Sequence, residues 1–112
     1  MTAAAYNLTI DQGSDFALDL VVKEDNAVKN LTGYSGRSQM RTTKSASTVA
    51  GSFTVTVTNA SAGEMKLELT NATSSGMTAG KYYYDLEIYT SGNTVVNRLL
   101  EGTVILTPEV TR

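Results

Sequence analysis

The chain has 112 residues, of which 41% are hydrophobic and 18% charged, and its formal net charge is −2. A length of this order suits one domain that buries roughly two thirds of its unfolded surface, and so mild a charge predicts neither a disordered tail nor electrostatic binding to nucleic acid. Cysteine and histidine are both absent, which removes disulfides, thiolate chemistry, and the commonest metal ligand and general base.

The opening MTAAAY has neither the cationic start nor the apolar stretch of a signal peptide. No run approaches the roughly 20 apolar residues of a bilayer span, so a soluble product without membrane contact is expected. Tyr6, Leu8 and Ile10 share one parity and predict a short strand, closed by Asp11-Gln12-Gly13-Ser14. Phe16, Leu18, Leu20 and Val22 alternate with Ala17, Asp19, Val21 and Lys23, which predicts a second strand in a central position. After the polar turn Glu24-Asp25-Asn26, the stretch Leu31-Thr32-Gly33-Tyr34 predicts a tight bend that tucks Leu31 and Tyr34 inward.

From Ser35 to Thr43 the pattern is weaker, with Arg37, Gln39 and Arg41 on one face and Gly36, Ser38 and Met40 on the other. Residues Thr42 to Gly51 are polar and small, and predict a mobile loop. Phe53, Val55 and Val57 alternate with threonines as a fourth strand, and Asn59 to Gly63 turns it into a fifth carrying Met65, Leu67 and Leu69. Asn71 to Gly80 is short and rich in glycine and serine, so at most one helical turn is expected there.

The last stretch carries the clearest pattern. Tyr82, Tyr84, Leu86 and Ile88 alternate with Asp85 and Glu87, Ser91-Gly92-Asn93 turns the chain, and an apolar run from Val95 to Leu106 follows. These read as a hairpin, with Gly102 marking a bulge or bend.

Seven short strands separated by turns predict an all-β fold, specifically an immunoglobulin-like antiparallel β-sandwich of about seven strands in a single domain. The expected core is Phe16, Leu18, Leu20, Met40, Phe53, Val55, Met65, Leu67, Leu69, Tyr84, Leu86, Ile88, Leu100 and Val104. Tyr82 or Tyr84 stands where such sandwiches place a tyrosine corner, although the Cys…Trp…Cys signature is missing.

Chemistry is harder to find. Asp11, Asp15 and Asp19 recur every four residues and would converge on a hard cation if helical. On a strand they spread out, so no metal site is expected. Asp85 and Glu87 share a strand face that offers no cleft to separate their pKa values, and a solvated surface is the expected role. Arg37, Arg41 and Lys44 are too few for a nucleic-acid track. Four sequons, at Asn7, Asn30, Asn59 and Asn71, exceed the roughly two that chance supplies at this composition, and glycosylation is not expected without a secretory signal. If Tyr82 and Tyr84 are core, Tyr83 and Tyr89 face outward beside Asp85 and Glu87, where they suit an interface or cross-strand packing about equally.

The stretches Asn7 to Ser14, Leu31 to Tyr34, Ala79 to Leu86 and Leu99 to Val104, with the ending Glu109-Val110-Thr111-Arg112, resemble small structural proteins of tailed bacteriophages. They are similar in particular to those encoded near tail and baseplate genes of phages of aquatic bacteria, and more distantly to the immunoglobulin-like N-terminal domain of phage baseplate upper proteins. The resemblance covers nearly the whole chain and departs most over Thr42 to Gly51. It implies a multi-copy virion component made in the host cytoplasm, contacting other virion proteins or copies of itself in a symmetric assembly, with no catalytic residue, cofactor or metal. The tail or baseplate is the expected location. A capsid decoration protein and a carbohydrate-binding adhesion module, with Tyr83 and Tyr89 as its stacking platform, are the alternatives. Residues 1–5 and 108–112 would then be assembly arms, adding Tyr6, Val110 and Arg112 to Tyr83, Asp85, Glu87 and Tyr89 as interface residues.

Overall fold

Alternation of apolar and polar residues builds most of the strands in the computed structural model, which describes residues 3–111. In chain order these are β1 (Ala4–Ala5), β2 (Leu8–Asp11), β3 (Phe16–Val21), β4 (Lys23–Glu24), β5 (Ala27–Val28), β6 (Ser35–Arg41), β7 (Gly51–Asn59), β8 (Glu64–Leu69), a one-turn helix α1 (Asn71–Ser75), β9 (Gly80–Tyr89) and β10 (Val96–Thr107). The chain is all-β. Its seven longer strands lie where the apolar alternation places them, and β4 with β5 adds a small separate hairpin.

The pairing order is β1-β10-β9-β6-β7-β8-β3, with β2 continuing β1 along β10. Strand β7 belongs to two neighbourhoods. Gly51 to Phe53 pair with β6, whereas Thr54 to Asn59 pair with β8, so the sheet curls along this strand. At the changeover, the Phe53 ring lies 6.1 Å from Phe16 of β3 and 6.0 Å from Tyr84 of β9, which ties the two halves together. Met40, Leu86 and Ile88 from one half and Met65, Leu67 and Leu69 from the other fill the interior. Each such side chain contributes about 1.5–3 kcal/mol by leaving water. Gly36 belongs to this packing: a Cβ there would overlap Val55 and come within 3.1 Å of Met65 Cε.

Four expectations change. The sheet is mixed rather than wholly antiparallel, because β1 and β2 run parallel to β10. β3 is the last strand in the order, not a central one, and its Phe16, Leu18 and Leu20 are accordingly only partly buried. Val55 and Leu100, also expected in the core, are partly buried as well. The bulge in β10 falls between Arg98 and Leu100, and Gly102 keeps regular register opposite Tyr84. Gly102 makes room instead of bending the strand. A Cβ there would overlap the Tyr6 carbonyl oxygen and come within 2.8 Å of Asn7 Oδ1, so its bare Cα admits the N-terminal segment.

Helix α1 and the adjoining turns are stitched by polar groups. Buried Ser74 donates its hydroxyl to the Ser14 carbonyl at 3.0 Å and accepts from the Gly13 amide at 3.0 Å. Gln12 links three segments, donating to the Met77 carbonyl at 2.8 Å and accepting from the Glu109 amide at 2.9 Å. The Tyr82 hydroxyl donates to the Thr78 carbonyl four residues upstream.

Candidate functional site

The outward side chains of β6, β9 and β10 form one continuous face. Because β9 alternates strictly, burying Tyr82, Tyr84, Leu86 and Ile88 turns Tyr83, Asp85, Glu87 and Tyr89 the other way. Cross-strand register places Arg37 opposite Glu87, Gln39 opposite Asp85 and Arg41 opposite Tyr83. On the other side of β9, Arg98 stands opposite Glu87 and Glu101 opposite Asp85. Most of these residues, with Lys44, line a shallow open concavity of about 320 Å³.

Charges on this face are interleaved. Arg37 Nε bonds Glu87 Oε1 at 2.9 Å, while its Nη1 donates to Asn93 Oδ1 at 3.1 Å. Arg98 lies 3.5 Å from Asp85 Oδ2 and 3.9 Å from Glu101 Oε1. Partial burial pushes the Asp85 carboxyl above its ordinary pKa, Glu87 and Glu101 push the same way, and Arg98 and Arg37 pull it back. Both outward tyrosines carry cations. The Arg37 guanidinium sits 4.4 Å from the Tyr89 ring centre, and Lys81 and Lys44 lie 5.2 and 5.9 Å from that of Tyr83. The rings are therefore engaged within the chain, and a sugar stacking on them would have to displace these cations.

Of the interface residues read from sequence, Tyr83, Asp85, Glu87 and Tyr89 come together, and Tyr6 and Val110 lie elsewhere. Tyr6 is 46% exposed and sits in the break between β1 and β2, where its carbonyl accepts from the Tyr84 hydroxyl at 2.6 Å. Burial, with Tyr6 nearby, pushes the Tyr84 hydroxyl up to about 12. Val110 is 89% exposed beyond the end of β10. Arg112, like Met1 and Thr2, lies outside the described residues. Within the expected arms, Ala4 and Ala5 pair with Leu100 and Glu101 of the same chain, and the Glu109 carboxylate packs over Gly13.

The three aspartates disperse. Asp11 accepts from Thr107 Oγ1 at 2.8 Å, Asp15 accepts from the Asn71 amide at 2.7 Å, and Asp19 pairs across from Lys66. The sequon asparagines are engaged in hydrogen bonds as well, local at Asn30 and Asn59 and long-range at Asn7 and Asn71. Asn30 Oδ1 accepts from both the amide and the hydroxyl of Thr32, Asn59 Oδ1 from Ser61, and Asn7 Oδ1 from the Thr103 amide, while Asn71 donates to Asp15. A turn that closes an Asn onto a hydroxyl two residues later has the same spacing as a sequon, which accounts for the excess at Asn30 and Asn59.

From the sequence, Arg37, Arg41 and Lys44 stand out only as cations too few for a nucleic-acid track, and Arg98, Glu101 and Lys81 do not stand out at all. The usable signal was parity, since Arg37 and Arg41 share an outward face with Gln39. No protein-family model matches this chain, and no curated protein matches it.

Proposed function

We propose that this chain is a non-enzymatic structural protein of a tailed-phage virion, built as an immunoglobulin-like sandwich and placed in the tail or baseplate among other virion proteins. The observation that carries the reading is where the resembling stretches fall. Leu8 to Asp11, within the first stretch, run parallel to β10 from Val104 onward, where the Leu99–Val104 stretch ends, and Gly102 of that stretch is bare where Tyr6 crosses it. Leu31 is buried at its bend, and Gly80, after Ala79, opens β9. The resemblance thus runs through the joints of a whole fold rather than through scattered positions. The immunoglobulin-like reading draws further support from the Tyr82 hydroxyl bonded four residues upstream and from the change of partner along β7. Asp85 and Glu87, each facing an arginine, suit a contact surface.

The test is mass spectrometry of purified particles of the encoding phage, separated into heads and tails, with copy number scaled to the major capsid protein. Recovery with tails in multiples of three or six is expected. Recovery with heads in hundreds of copies would make it a capsid decoration protein, and absence from both would refute the virion reading.

A further inference from the structure

The two outer faces of the curled sheet differ in charge. On the β3–β8 side, Asp19, Glu64 and Glu68 alternate with the inward Leu18, Leu20, Met65, Leu67 and Leu69, and among the described residues none of the three has an ion pair. Lys66, across from Asp19, leaves this face net acidic. On the β6–β9–β10 side, Arg37 and Arg98 are matched with Glu87 and Asp85, but Arg41, Lys44 and Lys81 have no carboxylate partner among the described residues. These three cations gather around Tyr83.

Each face also carries an exposed aliphatic opposite a charge, and the second face has Val96, 41% exposed, opposite Tyr89 as well. Val21, 55% exposed, stands opposite Glu64, and Ile105, 40% exposed, stands opposite Lys81. Acid with aliphatic on one face thus answers cation with aliphatic on the other.

We propose that these faces are the two halves of a head-to-tail contact between copies of this chain. The Asp19, Glu64 and Glu68 face of one copy seats on the Arg41, Lys44 and Lys81 face of the next, with Val21 against Ile105. Opposite potentials on two separate patches steer copies together and set their orientation. Because the patches differ, the contact is heterologous: each copy keeps one free half, so the association closes as a ring or continues as a stack. This extends the multi-copy reading above and is tested on the purified chain, so it fails separately from the location in the particle.

The experiment is sedimentation velocity of the full chain at low and high salt, with circular dichroism to show that variants fold. Self-association at low salt that weakens as salt rises is expected. Glu64→Lys with Glu68→Lys, and separately Lys44→Glu with Lys81→Glu, should each weaken it at least about tenfold. Mixing the two double variants should restore it, because each retains the face the other lacks. A wild-type chain that stays monomeric at millimolar concentration and low salt would overturn the proposal, even if it bound an acidic glycan instead. So would a charge-reversed variant that associates like wild type, or a mixture that stays monomeric when wild type does not.

Discussion

Replacing Gly102 by alanine tests how the N-terminal segment is held. The added Cβ would overlap the Tyr6 carbonyl oxygen, lie 2.8 Å from Asn7 Oδ1 and lie 2.9 Å from the Tyr6 carbonyl carbon. Two of these three atoms belong to backbone, so rotating a side chain cannot relieve the clash. Nor can the segment simply drift away, because Leu8 and Ile10 immediately after it are buried in the core. Overpacking of this kind costs about 1–3 kcal/mol, and reduced freedom of the unfolded chain offsets about 0.4–1 kcal/mol. The Tyr6 amide bond to the Glu101 carbonyl at 2.9 Å and the Thr103 amide bond to Asn7 Oδ1 at 3.0 Å lie beside the clash, and weakening either adds about 1 kcal/mol. The net expectation is about 2 kcal/mol, which for a domain of this size lowers the melting temperature by about 8 °C. Thermal unfolding followed by circular dichroism reads this directly. Gly76→Ala is the control, since its backbone is ordinary right-handed and the nearest atom is 3.6 Å away; it should be neutral or slightly stabilising. In a chain lacking residues 1–7, Gly102→Ala should cost much less. Equal melting of Gly102→Ala and wild type would refute the claim that Gly102 exists to admit the Tyr6 crossing.

Gly36→Ala should destabilise by about 1–3 kcal/mol through overlap with Val55, and adding Val55→Ala should recover part of the loss; a strictly additive double variant in urea unfolding would contradict the packing of β6 against β7. Asp85→Asn should gain stability relative to wild type as pH rises. Folding raises the Asp85 pKa, so the ionised carboxylate is disfavoured in the native state above its folded value, and that penalty vanishes below the unfolded value near 3.8. The exposed Arg98 partner at 3.5 Å offsets little when lost. A difference between variant and wild type that stays constant from pH 3 to pH 7 would rule out this account.

Most strands were legible because one face of each is buried, which writes the period of two into the residues. Strand β9 shows this best, with four buried positions in strict alternation. The neighbours were not legible. Nothing in the run from Phe16 to Val22 distinguishes an end strand from an inner one, since the same alternation serves both. The difference is written instead in how many partners remain once β9 and β10 have paired. Parallel pairing of β2 on β10 escaped for a related reason: it joins residues nearly a hundred positions apart, and no local turn announces it.

The charged face depended on a single slip of register. Counting back by twos from the buried Leu106 and Val104 assigns Leu100 and then Arg98 to the interior, which no unpaired guanidinium tolerates. The chain resolves the conflict by bulging between Arg98 and Leu100, so that Leu99 takes the inward place and Arg98 turns out opposite Glu87. An arginine at a nominally inward position, followed by two leucines, is therefore the trace that a bulge leaves in a sequence. The consequence reaches past β10. With Arg98 outside, Asp85 and Glu101 share a cation, Arg37 is left for Glu87, and the cations that remain unmatched, Arg41, Lys44 and Lys81, collect around Tyr83. One inserted residue thus decides both which side chains the face presents and where its uncompensated charge lies.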